Sequence, residues 1–211
     1  MQYRLPDARL IQPSRVIIRP DSNDLGLIIA AGQYRKMWRE HGGKILKSFH
    51  AVTGLDIRRS QLTARVIKGV QSIAGNGTPY HSMRLASGDY RSDEFKLMTI
   101  IHELTHRLLT SNGYGAYWLK YQGEYDQEID HRHSYLIEYD VVMEALGQEW
   151  ANICVQYEGR YDYDAGESPH QEAWNWAMNM TANERATKRK QLFTTRKPFI
   201  AGAKVKNQDP V

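Results

Sequence analysis

The residues best suited to chemistry in this 211-residue chain are His102, Glu103 and His106, in the string HELTH. Two histidines four residues apart turn through about 400° on an α-helix, so both imidazoles leave the same face and can reach one ion. Glu103 is rotated by about 100° from His102. That puts its carboxylate beside such an ion, where it can take a proton from a metal-bound water. The pattern suits hydrolysis assisted by Zn2+, in which the ion acidifies water and polarises a carbonyl while the glutamate carries the proton to the leaving amine.

A helix must present these three groups, and the flanking sequence specifies one. Ser92 is an N-cap, Asp93 and Glu94 put negative charge on the first turn, and Phe95, Met98, Ile101, Leu104 and Leu108 follow helical spacing. Asn112-Gly113 stops it. Upstream, Ser22 or Asn23 can cap a helix that runs to Gly42-Gly43, and a second helical piece ends at Gly54. TARVIKGVQSIAG and TPYHSMRLAS, separated by Gly75-Asn76-Gly77, predict a strand pair. Downstream, a tyrosine-rich loop precedes a second buried helix, SYLIEYDVVMEALGQEWANICVQY, and Thr181-Ala-Asn-Glu184 is a capping box that starts a last helix.

The HELTH string, its apolar helical frame and the strand-like TPYHSMRLAS before it resemble the zincin superfamily of metallopeptidases. The resemblance covers about residues 60 to 150. It implies an α+β fold of minimal zincin type, with a short mixed sheet, an edge strand packed on the HExxH helix, and a second ligand-bearing helix. It further implies a Zn2+ cofactor, and a peptide or protein substrate docking on the edge strand Tyr80 to Ala86. The metzincin continuation HExxHxxGxxH is absent, and the downstream Glu with Asp four residues on of the gluzincins is not present literally. The nearest type is gluzincin or aspzincin.

Two histidines need a third protein ligand and an open position for water. On the later helix Asp140 and Glu144 share a face with His133, whereas Glu138 falls with His131, Ala145 and Glu149 on a stripe that reads as solvated. The expected assignment is therefore Asp140 as third ligand and Glu144 orienting a ligand histidine, or those roles exchanged. His131 or His133 as third ligand would make an all-histidine site, as in SprT-like proteases that act near DNA. His133, Tyr114 or Tyr135 could stabilise an oxyanion. His41, His50, His81 and His170 read as structural or surface residues, Cys154 as a small buried apolar residue, and Trp174 with Trp176 as packing.

The remaining composition sets bounds. A hydrophobic fraction of 41% and a charged fraction of 25% are those of an ordinary globular protein, and one cysteine excludes an internal disulfide and points to a reducing, cytoplasmic setting. No apolar run approaches a membrane span. From Arg185 onward there are eight Lys/Arg and one acid, Asp209, so this part carries +7 and the rest −3. The division expected is an extended lead-in at 1–20, a catalytic domain at 21–184 and a basic tail at 185–211. The tail could make weak nucleic-acid contacts. Two other functions compatible with the sequence are a nucleic-acid-associated protein of SprT-like type and a catalytically inactive zincin-fold interaction module.

Overall fold

The computed structural model describes residues 15–57, 61–69, 82–88, 92–114, 127–159 and 169–195. These form three strands and six helices: β1 (Arg15–Pro20), α1 (Leu25–Thr53), β2 (Gln61–Ile67), β3 (Ser82–Ala86), α2 (Asp93–Ser111), α3 (Gln127–Leu146), α4 (Gln148–Gly159), α5 (Pro169–Met178) and α6 (Ala182–Thr195). The fold is mixed α+β, with one small parallel sheet.

The sheet order is β1-β2-β3, with Ile17 opposite Thr63 and Ala64 opposite Met83. Both pairings are parallel, so the sheet is not mixed, and the strand pair expected around Gly75-Asn76-Gly77 is not an antiparallel hairpin. That glycine turn, with Tyr80 and His81, lies outside the described residues. A parallel pair cannot close through a two-residue turn, because the chain must return to the starting end of the sheet. Among the described residues β3 stands at one end of the sheet order. Along β2, Leu62, Ala64 and Val66 are buried while Gln61 and Arg65 are exposed, so the sheet packs one face inward.

α1 is a single helix through Gly42-Gly43. A Cβ at Gly42 would lie 2.6 Å from the Trp38 ring, so here glycine admits a neighbouring side chain and does not interrupt the helix. Its N-cap is Asp24, which accepts from the Leu27 amide at 3.2 Å, in place of Ser22 or Asn23. Gly54 closes it in the left-handed conformation, φ 69°, as the sequence predicts. The same holds for the Ser92 cap and Asn112-Gly113 stop of α2, and for the reciprocal Thr181–Glu184 capping box of α6.

The long helix expected after residue 134 is two. Gly147, at φ 88°, donates its amide to the Met143 carbonyl and offers its own carbonyl to the Ala151 amide, ending α3 and opening α4. α3 is the hub and packs against each of the other five helices. The boundary expected at 184/185 falls inside α6, whose Arg185 and Arg189 are buried against α3. Among the described residues no helix is long and apolar enough to cross a membrane.

Candidate metal centre

α2 sits deep in the molecule, with every residue from Lys96 to Leu109 buried. His102, Glu103 and His106 are therefore interior groups, 5%, 4% and 8% exposed. Burying them costs free energy unless each finds a partner. The four-residue spacing does what helical geometry requires: Nε2 of His102 and Nε2 of His106 are 3.2 Å apart.

The opposite edge of each ring is anchored. Nδ1 of His102 lies 3.1 Å from Glu138 Oε2 and 3.3 Å from Glu158 Oε1, and Nδ1 of His106 lies 3.2 Å from Ser134 Oγ. With both Nδ1 atoms facing partners, the two Nε2 atoms point at each other. Two ligand nitrogens about 2.0 Å from a tetrahedral ion are about 3.3 Å apart, so the observed separation fits one shared cation. The third imidazole is His131. A ligand nitrogen from each of the three lies within 4.8 Å of the others, and the His131 ring stacks on His102 with centroids 5.7 Å apart. These residues fit a zinc ion, with Nε2 of His102, Nε2 of His106 and one nitrogen of His131 as the ligands.

The acidic third ligand expected from the sequence is not there. Asp140 faces α6, where Arg185 binds Oδ1 at 2.6 Å and Arg189 pairs with Oδ2, so its charge is already balanced. Glu144 is exposed, and neither it nor His133 joins either possible metal-binding group of the described residues. The stripe of α3 that meets α2 is His131, Ser134, Tyr135 and Glu138, spaced i, i+3, i+4, i+7 and wholly buried. His131 and Glu138 are thus interior groups, not the solvated stripe that the sequence predicts. α3 carries two stripes that each pair a histidine with an acid seven residues later, His131/Glu138 and His133/Asp140, and packing on α2 selects the first.

Two further site residues escaped the sequence reading. Glu158 arrives from α4, 1% exposed, because the break at Gly147 turns that helix back against α2. A hydrogen bond of 2.9 Å between Thr99 and Tyr157 ties it there. Its signal was faint, an acid one turn after Cys154 on an otherwise apolar face. His170, read as a loop residue, stands in the first turn of α5 behind Pro169, a residue favoured at helix starts, with its ring centroid 3.6 Å from that of His131. Tyr135 connects the two: its hydroxyl donates to Glu158 Oε2 at 2.7 Å and lies 3.3 Å from His170 Nδ1. Tyr114, by contrast, donates to the Phe193 carbonyl of α6. Cys154 is buried and Trp174 packs edge-on against Tyr135, as expected of packing residues.

The electrostatics follow from burial and from these neighbours. Burial works against a charged His102, but Glu138 and Glu158 outweigh it and raise the ring well above its ordinary pKa. Burial, with His102, His131 and His170, lowers His106 well below, which keeps its ring neutral and its lone pair available to a cation. Burial, with His102 next, takes His170 down to about 4. The two carboxyls lie close together, with an oxygen of each within 4.8 Å of the other. Burial and Glu158 push Glu138 up to about 8; Glu158 is held below the usual range because, against its own burial, His102 and the Tyr135 hydroxyl favour its anion. No family model, curated protein or solved structure matches the chain.

Proposed function

We propose that this chain is a zinc-dependent peptidase or amide hydrolase with a zincin-like site. His102, His106 and His131 hold the metal, and Glu103 serves as general base. The observation that carries this reading is the convergence of the two Nε2 atoms at 3.2 Å inside a buried helix, with each Nδ1 backed by its own partner.

When bound, the zinc supplies a Lewis acid that polarises the scissile carbonyl and acidifies water. Glu103, one residue and about 100° round the helix from His102, takes the proton of the attacking water and delivers it to the leaving nitrogen. Glu138 and Glu158 hold His102 by its Nδ1 edge, and Ser134 holds His106 in the same way, so neither ring can swing away. His170 lies beside His131 and could donate to an oxyanion, whereas Tyr135, a candidate for that role from sequence, gives its hydroxyl proton to Glu158. β3, at one end of the sheet order, is the docking strand in this reading, and an extended peptide is its substrate.

Glu103→Gln is the test. It should keep the zinc and lose hydrolysis of a susceptible peptide by about 10²- to 10⁴-fold. Unchanged turnover in that variant sinks the assignment, and zinc binding without turnover on any peptide in the wild type favours an interaction module.

The all-histidine donor set favours the SprT-like branch over the gluzincin or aspzincin one. The basic tail gives that branch less support than the sequence alone did, because Arg185 and Arg189 are committed to Asp140. DNA contact would then fall to Lys188, Lys190 and residues beyond α6. Salt-sensitive DNA binding that survives Lys188→Ala with Lys190→Ala would remove α6 from that role.

A further inference from the structure

Glu138 and Glu158 meet behind His102 in a way that orienting one ring does not explain. Both are fully interior, 0% and 1% exposed, and a carboxylate oxygen of each lies within 4.8 Å of the other. Holding a histidine by its Nδ1 hydrogen takes one acceptor, yet two carboxylates converge on that single atom at 3.1 and 3.3 Å. Tyr135 satisfies Oε2 of Glu158 and Oε1 of Glu158 faces His102 Nδ1, whereas Oε1 of Glu138 makes no hydrogen bond. A buried carboxylate oxygen without a donor is costly, and two carboxylates this close need something positive between them.

We propose that His102 Nδ1, Glu138 and Glu158 form a second divalent-cation site, on the opposite edge of the His102 ring from the Nε2 atoms. One ligand atom from each of these residues lies within 4.8 Å of the others, which is compact enough for one ion. The ion takes the place of the Nδ1 proton, which leaves to solvent, and its two positive charges balance the two carboxylates. His102 then bridges two ions as an imidazolate. One nitrogen with two carboxylate oxygens suits Zn2+, Mn2+ or Fe2+ better than Ca2+ or Mg2+, which favour all-oxygen shells. Glu158 and Glu138 come from different helices, α4 and α3, so the site also clasps the two sides of the Gly147 turn.

The probe is Zn2+ added in excess to chelator-stripped full-length protein, with unbound metal removed and the remainder counted by elemental analysis. About two equivalents per chain are expected in the wild type, and about one in Glu138→Gln and in Glu158→Gln. Anomalous diffraction at the zinc edge should show density on both edges of the His102 ring, a readout on the wild type that does not depend on how the variants fold. A single equivalent on the Nε2 edge, kept in both glutamine variants, overturns the second site and leaves the proposed hydrolase intact. A single equivalent on the Nδ1 edge, kept in a His106→Ala, His131→Ala variant, supports the second site and sinks the hydrolase instead. Wild type without zinc overturns both.

Discussion

Two carboxylates two residues apart on α3, Glu138 and Asp140, have opposite surroundings. Asp140 sits between Arg185 and Arg189, which also bind the carbonyls of Met180 and Leu136, so the carboxylate and both guanidiniums all have hydrogen-bond partners within the chain. Glu138 sits against another acid and a histidine, with an oxygen that no donor reaches. The first cluster is complete and fastens α6 to α3. The second is balanced only when a proton or a cation joins it, and such imbalance distinguishes a site that receives something from one that only holds the fold together.

The largest effect expected from testing this contrast is on stability. Asp140→Ala leaves two buried guanidiniums facing each other and should cost about 3–5 kcal/mol in urea unfolding, while zinc stoichiometry per folded chain stays unchanged. Loss of zinc from folded Asp140→Ala would break the division between the two clusters.

A smaller effect separates them by pH. In metal-free protein, Glu138 and His102 both have raised folded-state pKa values, so the native state keeps protons that the unfolded chain releases. Their contribution is present at low pH; that of Glu138 is lost as pH rises from about 4.5 toward about 8, and that of His102 as pH rises above 6.5. His106 and His170, whose folded-state pKa values are lowered, act in the opposite sense only up to about pH 6.5, so stability in EDTA should fall by on the order of 2 kcal/mol between about pH 6.5 and pH 8. Glu138→Gln should flatten that slope and Asp140→Ala should not. An equal slope in Glu138→Gln would mean that the carboxyl is not strained in the folded state.

The smallest effect sharpens the picture at the other ring. Ser134→Ala removes the group at His106 Nδ1 and should weaken zinc binding by about tenfold, measured by competition with a chromophoric chelator, with little change in unfolding. An unchanged affinity would assign Ser134 to packing.

Much of the local architecture was legible because it depends on neighbours in the chain. The Ser92, Gly54 and Thr181–Glu184 caps, the apolar frame of α2 and the shared face of His102 and His106 all follow from spacings of three or four residues. Gly42-Gly43 and Gly147 show where such reasoning fails. In one place glycine makes room for Trp38, and in the other it adopts a left-handed conformation that ends one helix and opens the next. Composition does not distinguish these cases, since the ring that crowds a glycine, or the packing that bends a helix, is not encoded at the glycine itself.

The sequence by itself determined that a helix would put the two imidazoles of HELTH on one face, since 3.6 residues per turn leaves no other outcome for positions four apart. Which groups would meet them was decided by tertiary structure. α3 offers His131/Glu138 and His133/Asp140 on different faces, and nothing local ranks one above the other. The ranking comes from α6, whose two arginines claim Asp140, and from the turn at Gly147, which brings Glu158 to the back of His102. A buried charge goes to whichever face can compensate it, and that compensation arrives from residues distant in the chain.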